Sequence, residues 1–234
     1  MKIFKNVKSY SVTWLANTYD KNTSQGTIAN YYLPETMEEF TELCRELYRK
    51  NEKFHVVGST SNVYIRPNTS FKHLISIRLL NRFYLDNDFM VCECGASVKL
   101  IVRRMVIDGI DGYACMIDLP GTIGGGVYGN AGVSRHSIGR QLKDVTVLLG
   151  NGSIRTFSPD DLGFTFRSSA LKRGELQGII LSCRLKRTPG NKKEIEDEAM
   201  MVHEWRKENQ PGAARNLETT SLLSIAKPTL KGKL

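Results

Sequence analysis

The sequence predicts an α+β fold of two lobes with a ligand site between them. Three observations carry that expectation. Short apolar runs of strand length are interspersed with a few amphipathic helices and do not repeat as clear βαβ units. A strong hairpin signal stands in the second half. Two loops of small residues interrupt the pattern at separated points. The 234 residues are long for one small core and suit one large or two modest domains. A hydrophobic content of 41% with 24% charged residues fits an ordinary soluble protein, not a disordered chain.

The elements follow in order. Thr36 and Glu39 fit a capping box, and Met37, Phe40, Leu43, Cys44 and Leu47 supply the apolar face of a helix over 36–50. Phe54 to Val57 reads as a strand, then a turn of small polar residues, Gly58 to Asn62, then a second strand at Val63–Ile65. Asp88 to Cys94 is a further strand, and Ser97 to Asp108 a helix stopped by Gly109. Val145–Leu149 and Ser153–Phe157 flank Gly150-Asn151-Gly152, a hairpin signal. Gly178 to Lys186 is a strand, and Lys192 to Asn209 a charged helix with a thin apolar stripe.

The most informative stretch runs from Pro120 to Gly132. Six of its thirteen residues are glycine, and none is Lys, Arg, Asp or Glu. Glycine at that density lets backbone approach a ligand closely, and successive free N–H groups make an anion-binding concavity. No Gly-Lys-Ser/Thr follows, and Gly121, Gly124 and Gly126 do not fit the Gly-x-Gly-x-x-Gly order of a dinucleotide turn. The competing reading is an irregular surface loop. The absence of charge favours a phosphate-bearing cofactor, and the Gly58–Asn62 turn could grip the second half of a pyrophosphate.

Net charge is +9, from 33 basic and 24 acidic residues. The basic residues are scattered, not striped with aromatics, so phosphorylated small molecules are favoured over nucleic acid. Lys227, Lys231 and Lys233 make a basic tail. No apolar run reaches a membrane span and the start lacks a signal-peptide pattern, so a cytoplasmic protein is expected. Cys44, Cys92, Cys94, Cys115 and Cys183 are odd in number and irregularly spaced, which favours buried free thiols over a metal site.

These motifs resemble those of the UDP-N-acetylenolpyruvoylglucosamine reductases, the MurB flavoproteins of peptidoglycan synthesis. Val56 to Val63 is similar to the family's first FAD loop. Leu119 to Gly126 with Asn130-Ala131-Gly132 is similar to the second. Phe166-Arg167-Ser168-Ser169 resembles its Tyr-Arg-x-Ser element, and Gly178-Ile179-Ile180-Leu181 the strand beside the flavin. Trp205 to Pro211 is similar to the helix end before the family's catalytic serine.

The resemblance implies a two-lobed FAD-binding fold of the PCMH/MurB type. The first lobe would take 1–77, the second 78–187, and a helix with a terminal segment 188–234. FAD would be held by Val57, Gly58, Ser59, Thr60, Ser61, Asn62 and Val63 on one side. Leu119, Pro120, Gly121, Thr122, Gly124, Gly125, Asn130, Ala131, Gly132, Ile179 and Ile180 would hold it on the other. NADPH is the implied electron donor and an enolpyruvyl UDP-sugar the implied acceptor. Arg167 takes the place of the active-site arginine, and Thr219 that of the proton-donating serine. Glu218 and the residues after it depart from the family pattern around that serine. The chain resembles a short form without the C-terminal substrate-binding domain and its glutamate.

Three functional readings follow: a shortened reductase completed by a partner or a second copy, a flavin oxidoreductase on another substrate, and a flavin-binding protein without turnover.

Overall fold

The computed structural model describes residues 1–8, 26–65, 68–133, 136–209 and 221–222. Gln210, Pro211, Thr219 and the basic tail of Lys227, Lys231 and Lys233 lie outside the described residues.

The first part of the chain contains β1 (Lys2–Lys8), β2 (Thr27–Leu33), α1 (Met37–Arg49), β3 (His55–Val57), β4 (Val63–Tyr64) and β5 (Phe71–Ser76). Four of the strands form a sheet ordered β1-β2-β5-β3. β1 runs antiparallel to β2, whereas β2, β5 and β3 are mutually parallel. The connection from β2 to β3 therefore crosses over through α1, with β5 inserted between them. Parallel neighbours need such a crossover because a tight hairpin cannot join them.

α1 forms where its cap and periodicity place it. The Thr36 hydroxyl accepts the Glu39 N–H at 3.2 Å, and Phe40, Leu43, Cys44 and Leu47 are buried. The Glu39 carboxylate reaches back to the N–H of Glu35 at 2.8 Å.

The rest comprises β6 (Phe83–Asp86), β7 (Phe89–Glu93), α2 (Val98–Ile107), a 3-10 turn (Ala114–Met116) and α3 (Ile123–Tyr128). Then come β8 (Gly132–Val133), β9 (His136–Ser137), α4 (Ile138–Gln141), β10 (Leu142–Leu149) and β11 (Ile154–Phe157). α5 (Ala170–Arg173), β12 (Gly178–Lys186), α6 (Lys192–Asn209) and β13 (Ser221–Leu222) complete it. The second sheet, β11-β10-β12-β7-β6, is antiparallel throughout. Its hairpin turns through Gly152 at φ +83°, a conformation that favours glycine. β13 lies parallel to β4.

One core joins the two sheets. Phe40 and Leu47 of α1 belong to the same buried cluster as Met105 of α2 and Leu148 of β10. Leu74 and Ile75, adjacent on β5, point to opposite faces: Ile75 enters that cluster, and Leu74 enters a smaller one with Ile28, Val57, Ile65 and Phe71. All five cysteines are free and buried, with Cys92 directly opposite Cys183 across β7 and β12.

The glycine-rich stretch differs from its sequence reading. Ile123 to Tyr128 is a short helix, capped by the Thr122 hydroxyl, and not an open loop. Three successive glycines each cost about 1 kcal/mol of helix propensity relative to alanine, so no pattern in the sequence announces it. Tertiary contacts supply what propensity lacks. The N–H of Ile123 donates to the Ala96 carbonyl at 2.8 Å and that of Gly124 to the Cys94 carbonyl at 2.7 Å. The first-turn amides are thus tied to the end of β7 and do not form the cradle of free donors that the glycine content suggests. Gly124 and Gly126 serve close packing: an added Cβ would sit 3.0 Å from the Cys94 carbonyl oxygen and 2.4 Å from the Ile138 side chain.

Candidate functional site

A cavity of about 1220 Å³ opens between the first small-residue loop, the glycine helix, β12 and the end of α6. That volume exceeds a typical small-ligand pocket of about 300–1,000 Å³ and suits an extended ligand. Val57, Gly58, Ser59, Thr60, Ser61, Asn62 and Val63 line one side. Leu119, Pro120, Gly121, Thr122, Gly124, Gly125, Ala131 and Gly132 line another, with Ile179, Ile180 and Arg167. The structure therefore gathers around one space residues separated by more than a hundred positions in the chain. Asn130 is the exception. It is buried off the wall, and its amide bonds to the Thr165 carbonyl and to the Gly139 N–H of α4.

The two loops meet at one point. A Cβ on Gly58 would lie 2.2 Å from the Thr122 hydroxyl oxygen, so only glycine lets the loops touch. Gly58→Ala is accordingly expected to destabilise the protein by about 1–3 kcal/mol through overpacking, read by denaturant melts. Thr122→Ala in the same chain should recover part of that, leaving a deficit of about 1 kcal/mol from the lost cap of α3.

The wall is electropositive. Lys53, Arg167, Lys172 and Arg206 line it, and among the described lining residues only Glu52 is acidic. Glu52 is itself engaged by Lys72. Burial pushes the Tyr48 phenol up to about 12, so it stays a hydrogen-bond donor at neutral pH. Burial, with repulsion from Lys53, holds His55 below the usual imidazole range and keeps it neutral. The sequence reading missed Tyr48, Lys53, His55, Lys172 and Gln177, which join the wall only because α1, β3 and α5 and the segments entering β3 and β12 fold against it.

Arg167 sits at the apex of a tight turn in which Thr165 and Ser168 exchange backbone hydrogen bonds at 3.1 and 3.2 Å. Its φ is +54°, an uncommon conformation for a side chain of this size. The Lys172 ammonium donates to the Arg167 carbonyl at 2.9 Å, which helps hold that conformation. The guanidinium lies 5.7 Å from the ring of Phe166, itself 85% exposed. Among the described residues Arg167 forms no ion pair, so a structural salt bridge does not account for it.

A separate cluster anchors the approach to the glycine helix. Asp118, just before Leu119 and Pro120, meets Lys99 at 3.3 Å and Arg103 at 2.8 Å from α2, and His203 from α6. Just beyond His203, α6 places Trp205 and Arg206 on the cavity wall. Burial alone would raise the Asp118 pKa, but hydrogen bonds from His203, Lys99 and Arg103 outweigh it and hold the carboxyl at about 2. A depressed carboxyl pKa stabilises the fold above the unfolded value near 4, and that contribution fades as pH falls toward 2. Asp118→Asn should therefore lower the melting temperature at pH 6, and the gap from the parent should close between pH 4 and pH 2. A gap that stays constant over that range would show that the cluster does not stabilise the fold.

Comparisons with known proteins match this geometry. The FAD binding domain family matches residues 28–158. The chain is 30% identical to the UDP-N-acetylenolpyruvoylglucosamine reductase 1 of Corynebacterium glutamicum, covering 99% of this chain and 73% of that protein. It is 27% identical to the UDP-N-acetylenolpyruvoylglucosamine reductase of Lactobacillus acidophilus over 81% of this chain, and it spans 63% of that relative's length. Among solved structures, the UDP-N-acetylenolpyruvylglucosamine reductase (MurB) from Thermus caldophilus superposes with a TM-score of 0.69 at 26% identity, covering 90% of this chain and 71% of that one. Berberine bridge enzyme from Eschscholzia californica, at 15% identity and a TM-score of 0.55, shares the fold.

Proposed function

The chain belongs to the FAD binding domain family, within its UDP-N-acetylenolpyruvoylglucosamine reductase group, and on that premise we propose that it is a flavin-dependent reductase of an enolpyruvyl UDP-sugar, with NADPH as electron donor. The observation that carries this reading is the juxtaposition of the two small-residue loops with Arg167, which has no ion-pair partner among the described residues, around one cavity.

The residues present fit FAD. Gly125 is exposed toward the cavity, and a Cβ there would meet only the Thr122 hydroxyl, at 3.5 Å. That surface therefore admits a pyrophosphate at close range. Hydroxyls of Ser59 and Ser61 can donate to its oxygens, and Lys53, Lys172 and Arg206 offset its charge. Ile179 and Ile180 give the ring system an apolar face. When bound, FAD would supply the hydride chemistry that links NADPH to the vinyl carbon of the acceptor.

The protein has two further tasks. Arg167 is the group proposed to hold the acceptor's carboxylate through a bidentate pair. It would offset the negative charge that grows toward that carboxylate as the hydride arrives. A proton must then reach the neighbouring carbon to complete the reduction, and Thr219 is proposed as its donor on sequence grounds alone.

We assign residues 1–77 to a first lobe and 78–187 to a second, with 188–234 as a terminal segment, because the first sheet ends at Ser76 and the second begins at Phe83. Five buried free thiols suit a reducing compartment, in keeping with the cytoplasm. No described helix is long and apolar enough to cross a membrane. The chain spans 63% of the Lactobacillus relative's length, and a partner chain or a second copy at the sugar-nucleotide site is part of the proposal.

The test is an anaerobic visible spectrum of the purified protein, before and after NADPH and then after UDP-N-acetylglucosamine enolpyruvate. Bleaching followed by recolouring is expected. Flavin that bleaches and stays bleached would redirect the reading to another acceptor.

A further inference from the structure

The glycine helix and the Arg167 turn are separate in sequence and joined in space. α3 is capped at Gly129 and followed by Asn130, whose φ is +45° and whose side chain is buried off the cavity wall. The Asn130 amide makes two bonds. Its Nδ2 donates to the Thr165 carbonyl at 2.8 Å, and its Oδ1 accepts the Gly139 N–H at 3.1 Å. The second tie runs beside it: the buried Ser169 hydroxyl donates to the Tyr128 carbonyl at 2.7 Å. Thr165 and Ser169 bracket the turn that carries Arg167, and the two bonds end on Tyr128, the last residue of α3, and on Asn130, just past its cap.

Six helical residues span only about 9 Å. The helix is pinned at its first turn to Cys94 and Ala96 and packed through Gly126 on Ile138, so it has little freedom to bend. A ligand seated on Gly125 therefore steadies the helix as a body, and the Arg167 turn with it. We infer that Asn130 is a positioning residue that couples occupancy of the glycine helix to the stance of Arg167.

The structural part of this inference rests on FAD lying against Gly125. Its catalytic consequence rests on the role proposed above for Arg167. The order it imposes is simple: the arginine is set for its carboxylate once the cofactor is seated.

Asn130→Asp tests it. The substitution keeps the acceptor for Gly139 and the tolerance for positive φ, but turns an oxygen toward the Thr165 carbonyl. Asn130→Gly, which removes the side chain without straining φ, guards against a folding defect in the first variant. Amide hydrogen exchange is read with and without FAD. In the parent, FAD should slow exchange at Thr165 to Ser168 about tenfold. In either variant FAD should bind within about twofold of the parent and still slow exchange in α3, while the response at 165–168 falls to what the Ser169–Tyr128 bond alone transmits, about threefold or less.

Turnover of the enolpyruvyl sugar should fall about tenfold or more, with reduction by NADPH unchanged, and adding Arg167→Ala should cost nothing beyond Arg167→Ala alone. Equal slowing at 165–168 in parent and variants would overturn the coupling, as would a parent whose turn ignores FAD. A parent that shows the exchange coupling but never turns over the sugar would instead sink the proposed reaction and leave the coupling standing.

Discussion

Gly125→Val is expected to give a folded protein that no longer binds flavin. A Cβ at Gly125 would meet only the Thr122 hydroxyl at 3.5 Å, an ordinary contact, so the core has no reason to move. Valine is also a better helix former than glycine by a few tenths of a kcal/mol, and the melting temperature of the apoprotein should hold or rise slightly. The branched side chain would nevertheless fill the space where the backbone otherwise meets the cofactor. Affinity should drop by two orders of magnitude or more, because a pyrophosphate cannot reach the loop past those methyls. Flavin titration by fluorescence with a parallel thermal melt separates the two effects. A yellow, stoichiometrically loaded variant would remove α3 from the cofactor site, and a collapsed melt would show that the position is structural. Gly58→Ala, where the clash is with protein, should do the reverse and lose stability first.

Arg167→Ala is expected to spare flavin binding and reduction by NADPH while slowing oxidation by the enolpyruvyl sugar about 10²–10³-fold, the usual loss for one preorganised charge-stabilising donor. Arg167→Lys should recover only part of the rate, because an ammonium keeps the charge without the planar fork. The φ of +54° strains arginine and alanine alike through their shared Cβ, so the alanine variant keeps the parent's backbone strain. Arg167→Gly removes that strain and serves as the control. Rapid-mixing measurement of the two half-reactions distinguishes the outcomes. A fall in both half-reactions would place Arg167 at the flavin and not at the acceptor, and no change in either would remove it from catalysis.

The parts of the fold that local rules control are legible in the sequence. α1 follows from the Thr36–Glu39 capping box and its apolar face, α2 from its stop at Gly109, α6 from its thin apolar stripe, and the β10–β11 hairpin from Gly150-Asn151-Gly152. The parallel arrangement of β2, β5 and β3 is not, because it depends on pairing between strands far apart in the chain. α3 is hidden for a different reason. Its glycines oppose a helix locally, and only the carbonyls of Cys94 and Ala96 and the close approach of Ile138 make it stable. The site shows the same division. Motifs point to both loops and to Arg167, but Lys172 and Tyr48 reach the cavity through tertiary packing that no spacing encodes. Asn130 belongs in sequence with the second loop, whereas its side chain faces away from the cavity.

The ties between α3 and β7 bear on how the protein handles its cofactor. Because the amides of Ile123 and Gly124 already have partners inside the protein, the recess has its shape before anything enters it. Little of the chain must be ordered on loading, so the affinity for flavin is not diminished by a folding penalty. The apoprotein should accordingly be stable enough to isolate and to reconstitute. Flavin analogues of altered redox potential could then be exchanged into an unchanged socket, which would make the chain a convenient host for asking how much of the rate belongs to the cofactor and how much to Arg167.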